Sequence, residues 1–433
     1  MKRKMQLLNH SLMGIAAATL LATAASARGE TGFVSLFDGK TLKGWSLFGK
    51  KGAGYFVKDG MIICAKGGGG NLLTDREFQD FVLRLEFRLE AGSNNGIGIR
   101  APLTDKSVAY EGMEIQVIDD YSDKYGKLKP WQFNGSIYNL VPAKVGSLKR
   151  AGEWNYEEII CVGRRVKVKL NGRTIVDADL NAITDAETLQ RHPGMFRDRG
   201  HIGFLGHNDY VEFRNLRIKE LPRARVDNRA PEGFTRLFNG RDLTGWQGLQ
   251  DRPNDNPVKR AALPLDKWAD QQVKADERMR QNWQVRDQAL IYLGKGFDNL
   301  VTARDYGNFE LLVDWKIAEN GDSGLYLRGT PQVQIWDKPE GSGGLFNNKT
   351  NPSKPLKRAD YFVGEWNRFR VVMLGDRVMV FLNGELVVYD GKQGVALENY
   401  WEPGKPLFPR GSIELQAHRD PVQFKNIFIR ELP

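Results

Sequence analysis

Glutamate, glutamine and histidine stand at matched places in two halves of this 433-residue sequence. The run Glu114-Ile-Gln-Val-Ile-Asp119 alternates polar and apolar residues at strand period, and Gln332-Val-Gln-Ile-Trp-Asp337 nearly repeats it. The spacing puts Glu114 and Gln116 on one side of their strand, and Gln332, Gln334 and Trp336 on one side of theirs. Around them the first half offers Arg100, His201 and His207, and the second Tyr326, Arg328, Glu414, Gln416 and His418. A carboxylate near an imidazole can move protons, a guanidinium can stabilise a developing oxyanion, and amides with aromatic rings can hold a ligand rich in hydroxyls. Taken singly, each residue reads as well as solvated surface or as one half of an ion pair. Converging on one face, they read as a site.

The two sets are incomplete in opposite places. Gln332 stands where the first half has Glu114, and an amide cannot act as a base. The first half has Gly203 and Leu205 where the second has Glu414 and Gln416. His207 and His418 match each other, in a chain with five histidines. Three arrangements stay open: catalysis in the second unit through Glu414 and His418, catalysis in the first through Glu114 and His207, or one unit that only binds, with Tyr326 and Trp336 as stacking platforms. There is no phosphate loop, dinucleotide fingerprint, serine elbow or cysteine-rich metal pattern, and the four glycines 67–70 lack a following helix and lysine.

The elements that must position these residues are strands. Phe33-Val-Ser-Leu-Phe-Asp-Gly-Lys-Thr-Leu-Lys-Gly-Trp45 opens one unit, and Phe234-Thr-Arg-Leu-Phe-Asn-Gly-Arg-Asp-Leu-Thr-Gly-Trp246 opens a second. The repeat continues through Phe81–Phe87 and Phe309–Trp315, Gly96–Arg100 and Gly324–Arg328, and Glu153-Trp-Asn155 and Glu365-Trp-Asn367. Leu170-Asn-Gly172 and Leu382-Asn-Gly384 mark hairpin turns. Many short strands with Gly/Asn turns predict an all-β chain of two tandem β-sandwiches or jelly rolls, over 32–222 and 234–433, joined by a linker at 223–233. A charged helix from Leu265 to Arg280, with Trp268 and Val273 as its apolar contacts, is an insertion in the second unit. Ala182 to Arg199 reads as a long loop.

Lys2-Arg-Lys4, the apolar stretch Leu12–Leu21 and Ala25-Ser-Ala27 predict a signal peptide over 1–27, hence an exported, periplasmic or secreted chain. The apolar stretch is short for a membrane span, so none is expected after cleavage. The net charge of +10 is spread out, without a basic tract of the nucleic-acid type. Cys64 and Cys161 lie in apolar runs. Export permits a disulfide, and two buried thiols are the plainer reading.

The openings Leu36–Trp45 and Leu237–Trp246, the Gly-Glu-Trp-Asn and Leu-Asn-Gly motifs and the ending Glu414-Leu-Gln-Ala-His418 to Phe424-Lys-Asn-Ile427 resemble the 3-keto-disaccharide hydrolase domain family over both units. The resemblance implies a concanavalin-like, glucanase-type jelly roll in an exported sugar-processing protein, with an oxidised (3-keto) glycoside as substrate. A C3 ketone acidifies the C2 proton, so that a base can remove it and expel the C1 aglycone, after which water adds. The base and acid would be drawn from Glu114, His207, Glu414 and His418, and the resemblance favours the second unit, which keeps the Glu-x-Gln-x-His ending of the family pattern. The enolate would rest against Arg100, Arg328 or a divalent metal ion, and Gln116, Tyr326, Gln332, Gln334, Trp336 and Gln416 would bind the sugar. A glycan-binding protein without catalysis is the alternative from another class. An ordinary retaining glucanase is disfavoured, because Glu114 and Asp119 point to opposite faces.

Overall fold

The computed structural model describes residues 31–221 and 227–433. The expected leader over 1–27 and linker residues 223–226 lie outside the described residues. Each unit is a sandwich of two antiparallel sheets, eight and five strands in the first, nine and six in the second. The chain is therefore all-β with two tandem jelly-roll units, as its repeats predict. Both Asn-Gly hairpins have positive φ at both central residues, 50° and 83° at Asn171-Gly172 and 53° and 89° at Asn383-Gly384. That is the type I′ geometry, which matches the twist of the flanking strands.

The smaller sheet of each unit carries the candidate residues. In the first unit we label its strands β1 (Trp45–Lys51), β2 (Gly69–Thr74), β3 (Asn94–Ala101), β4 (Met113–Ile118) and β5 (His201–His207), in the order β1-β2-β5-β3-β4. In the second they are β6 (Trp246–Gly248), β7 (Leu300–Thr302), β8 (Asp322–Leu327), β9 (Gln332–Trp336), β10 (Leu345–Phe346) and β11 (Ile413–Leu415), in the order β6-β7-β11-β8-β9-β10. Ile97, Ile99, Ile115 and Val117 face the first core, and Leu325, Val333, Ile335 and Leu415 the second. The polar alternates are thereby committed to the outer face of each sheet.

The units pack closely. Strand Phe81–Leu89 alternates buried and half-buried along its length, whereas its twin Phe309–Ile317 is buried on nearly every residue. The difference arises because the first unit covers the outer face of the second unit's larger sheet. Val372, Leu374, Met379 and Phe381 join the first unit's core beside Leu180, Leu189, Met195 and Phe196, and the rings of Phe196 and Phe381 lie 6.4 Å apart. The segment read as a loop, 182–199, is the docking element. It follows a 3-10 turn at Leu180–Ala182 and contains a short helix, Ala186–Arg191, and a 3-10 turn at Pro193–Phe196. Its pattern looks irregular because each of these elements is too short to show a helical or strand period.

The predicted insertion helix spans Leu265–Asn282 and follows a shorter one, Pro257–Ala261. Its buried face is Gln272, Ala275 and Met279, which corrects the expected contacts: Val273 is exposed and Trp268 only half-buried. Gly248 of β6 admits this helix, since a Cβ there would meet Ala275 O at 2.2 Å. Cys64 and Cys161 are buried free thiols. Past the linker's start, Asp227 pairs with Lys425 at 2.7 Å and Asn228 exchanges hydrogen bonds with Asn426, so this end of the linker is fastened to the second unit.

Candidate active site

In the first unit, Glu114 on β4 and His207 on β5 are separated by β3. They meet because β3 presents glycines to this face. Gly96 lies opposite Gln116, Gly98 opposite Glu114, and Gly98 also opposite Gly203 of β5. A Cβ on Gly96 would sit 2.1 Å from Glu114 Oε1, so the carboxylate lies flat over that glycine. From there Oε1 reaches to 3.7 Å from His207 Nε2. The Glu114 side chain is 7% exposed and that of His207 is 48% exposed, which joins a shielded carboxylate to an imidazole open to solvent. Among the described residues Glu114 Oε1 has no hydrogen-bond partner. Tyr138 donates its backbone N–H to Glu114 O at 2.8 Å, and its ring stands edge-on to Trp131 at 5.1 Å. Burial raises the Tyr138 phenol above its ordinary value, with the charge of Glu114 adding to the effect. The other end of the same face is filled by Leu73, Ala101, Val108 and Leu205, with Phe48 against them.

The second unit builds a different surface at the same place. Gln332 lies over Gly324, where a Cβ would meet its Nε2 at 2.2 Å, and donates to Gln416 Oε1 at 2.7 Å. Gln334 donates to Asp322 Oδ1 at 2.7 Å, and Asp322 Oδ2 stands 3.9 Å from His418 Nδ1. Phe297 packs edge-on to His418 at 5.3 Å. Tyr326 of β8 pairs in register with both Gln332 and Glu414. Glu414 is buried, and burial raises its carboxyl to about 7 against the opposing pull of Arg260 and an Asn299 hydrogen bond. Burial likewise raises the Tyr326 phenol, Glu414 contributing. Arg260 stands on the short helix Pro257–Ala261, near enough for its charge to act on Glu414.

Not every expected residue joins these faces. Arg100 and Arg328 are corrections. Both have left-handed backbone, φ 50° and 53°, which takes the side chain out of the strand alternation. Arg100 donates to Arg197 O and Gln79 O, each at 3.2 Å, and to Asp80 Oδ1 at 3.4 Å. Arg328 donates to Pro409 O at 3.1 Å and to Gly375 O. Asp80 also accepts from Gly163 N at 2.9 Å, and Gly163 and Gly375 each belong to a hairpin turn of the larger sheet. These arginines fasten one sheet of each sandwich to the other, and their guanidinium groups are engaged there. His201 belongs to the rim, its Nδ1 2.6 Å from Thr74 O. Trp336 is held by its own loop, with Nε1 donating to Gly341 O at 2.7 Å. Gln116 stays beside Glu114, buried and opposite Gly96. Asp119 accepts from Gly92 N at 2.8 Å and has a structural place.

Among the described residues no group of three or more His, Cys, Asp and Glu side chains gathers as a metal cage would require. The residues of these faces do not fit the divalent ion that the family resemblance allowed. Asp322, Arg260, Asn299 and Tyr138 are the members that sequence reading missed. Extending the repeat alignment upstream of Gly324 sets Asp322 opposite Asn94 and could have found the first. The others come from an insertion and from loops, where no repeat guides the eye.

A family model described as the 3-keto-alpha-glucoside-1,2-lyase-like domain matches residues 32–219 and again residues 233–430. A curated protein of Bacteroides thetaiotaomicron named 3-keto-disaccharide hydrolase is 29% identical over 229 residues, covering 44% of this chain and 79% of that protein. A crystal structure from Parabacteroides distasonis, provisionally named a glycosyl hydrolase, is 27% identical with a TM-score of 0.39, over 44% of this chain and 99% of that one. A Bacillus subtilis carbohydrate-binding module is 14% identical with a TM-score of 0.28, over 44% of this chain and 98% of its own.

Proposed function

Because this chain belongs to the 3-keto-alpha-glucoside-1,2-lyase-like domain family, with one copy in each unit, we propose that it cleaves 3-keto-glycosides by elimination and hydration, and that the first unit does so. The observation that carries this reading is the Glu114–His207 pair, 3.7 Å apart over a glycine floor, with the imidazole open to solvent. Glu114 takes the C2 proton of the keto sugar, and the electron pair moves to the C3 oxygen as an enolate. As the C3 carbonyl re-forms, the C1–O bond breaks and protonated His207 gives its proton to the departing oxygen. Water then adds to C1, one of its protons returning through His207, and C2 regains a proton from Glu114. The net change is addition of one water across the glycosidic bond. With Arg100 engaged elsewhere, Tyr138 at the edge of the face is the hydrogen-bond donor for the enolate. Trp131 and Tyr138 supply aromatic surface for the sugar ring.

A second reading places the reaction in the second unit, and one observation favours it. Glu414, held near 7 by burial, has the affinity for protons that suits a general base at neutral pH. Against it, the histidine of this unit, His418, lies 3.9 Å from Asp322. The experiment is to supply a 3-keto-glucoside and its unoxidised parent to the full chain, and to Glu114→Gln and Glu414→Gln variants, and to follow aglycone release. Release from the keto sugar alone, lost in Glu114→Gln, supports the first unit. Loss confined to Glu414→Gln moves the reaction to the second, and binding without release leaves a glycan-binding protein. Export follows in this proposal from the basic, apolar and small-residue leader.

A further inference from the structure

Between the units lies a cleft of about 610 Å³, within the range of small-ligand sites. The charges at its floor do not cancel. Arg370 pairs with both Glu310 and Asp198, Arg430 Nε donates to Glu310 Oε2 at 3.1 Å, and Arg164 Nη1 stands 3.9 Å from Glu310 Oε1. Three guanidinium groups thus share two carboxylates, Asp198 from the first unit and Glu310 from the second. The side chains of Arg164 and Arg370 are 9% and 7% exposed, and Glu310 is fully buried.

Arg164 is the member left short. Its Nη1 donates to Met195 O at 3.0 Å and its Nη2 to Leu180 O at 3.4 Å, and among the described residues its Nε has no partner although it is buried. Burial lowers it to about 10; Glu310 and Asp198 pull the other way, and the neighbouring charges of Arg370 and Arg430 press with burial. A surplus cation in so dry a place is costly unless an anion joins it. Arg165 and Arg368, also on the cleft wall, are already matched by Glu232 and Asp314, whereas Arg229 lines the cleft with an exposed side chain. Phe234 and Tyr361 also line the cleft and provide flat apolar surface there, and Trp366, another lining residue, has Lys316 and Lys425 over its ring.

We propose that this cleft between the units binds a sugar bearing a single acidic group, with the anion against Arg164 and the ring against the aromatic wall. That the ligand is a sugar rests on the carbohydrate reading above; that it is an anion rests on the charge count. The test is calorimetric titration and thermal melting of the full chain with glucuronate, with glucose and with inorganic phosphate. Glucuronate should bind at one site and raise the Tm, and glucose should do neither. Arg164→Gln should abolish the effect. Because that variant disturbs a buried network, Arg229→Ala is the companion, expected to fold normally and weaken glucuronate roughly tenfold, the usual worth of one charge-assisted hydrogen bond. The proposal is overturned if glucuronate does not bind, if glucose binds as well, if phosphate binds and glucuronate does not, or if Arg229→Ala leaves affinity intact. Binding alone is read, so the outcome does not depend on whether either unit turns over a keto sugar.

Discussion

Glu114 Oε1 and His207 Nε2 approach to 3.7 Å although their strands are not neighbours, because the strand between them carries Gly96 where any side chain would occupy the gap. This relationship ties the reaction proposed for the first unit to three positions at once. Replacing Glu114 by Gln keeps the shape and removes the base. Turnover of a 3-keto-glucoside should fall ~10²–10⁴-fold, the usual worth of general base catalysis, with the Tm nearly unchanged. His207→Ala should lower turnover less for substrates with acidic leaving groups, which need little help from a proton donor. Steady-state kinetics with a phenol series would show whether that dependence exists.

Gly96→Ala tests the geometry without touching the chemistry. The new methyl would lie 2.1 Å from Glu114 Oε1 and must push the carboxylate aside. A shift on the order of 1 Å can cost ~10²-fold in rate. The expected signature is a fall in kcat with circular dichroism unaltered. Wild-type kcat in Gly96→Ala would mean that Glu114 does not work from this position.

Arg100 serves as the converse case. Its guanidinium links Asp80 to the carbonyls of Gln79 and Arg197, away from the Glu114 face. Arg100→Met should remove one partner of the buried Arg100–Asp80 pair and destabilise the fold by ~3–5 kcal/mol, as removal of one partner of a buried pair does. Turnover per folded molecule should persist. Chemical denaturation read beside activity separates the two effects, and a stable but inactive variant would return Arg100 to the site.

Glu157 supplies a pH prediction. It is fully buried in the first core, and among the described residues neither carboxyl oxygen has a partner; the matched position in the second unit is Phe369. Burial raises its carboxyl from 4.5 to about 8. The folded state therefore holds this proton more tightly than the unfolded state does. Its contribution is fully present below about 4.5 and is lost as pH rises toward 8. Glu157→Gln cannot ionise and should flatten that slope, so that the melting temperature falls less between pH 5 and pH 9 than in the wild type. Parallel slopes would show that Glu157 is not the group responsible.

Much of this arrangement is legible in the linear chain because strand period and turn chemistry are local. Alternation assigns Glu114 and Gln116 to one face and Ile115 and Val117 to the core, and Asn-Gly specifies the hairpins. The duplication, visible as paired motifs, identifies the divergence of Glu114 from Gln332. Arg100 and Arg328 misled because alternation holds only while φ stays negative, and a single left-handed residue sends the side chain elsewhere. Segment 182–199 misled for another reason: its helix and 3-10 turns are too short to show a period, and Phe196 also packs on Phe381 of the other unit, which no local pattern records.

Sequence alone thus determined two β-sandwiches, their family and the residue types on each outer face, since these follow from spacing and repetition along the chain. Tertiary structure decided which of those residues meet. Glu114 reaches His207 across a glycine, Glu414 is buried within reach of the charge of Arg260, and three arginines from two units converge on two carboxylates. Such encounters depend on strand order and domain packing, which bring together residues far apart in the chain.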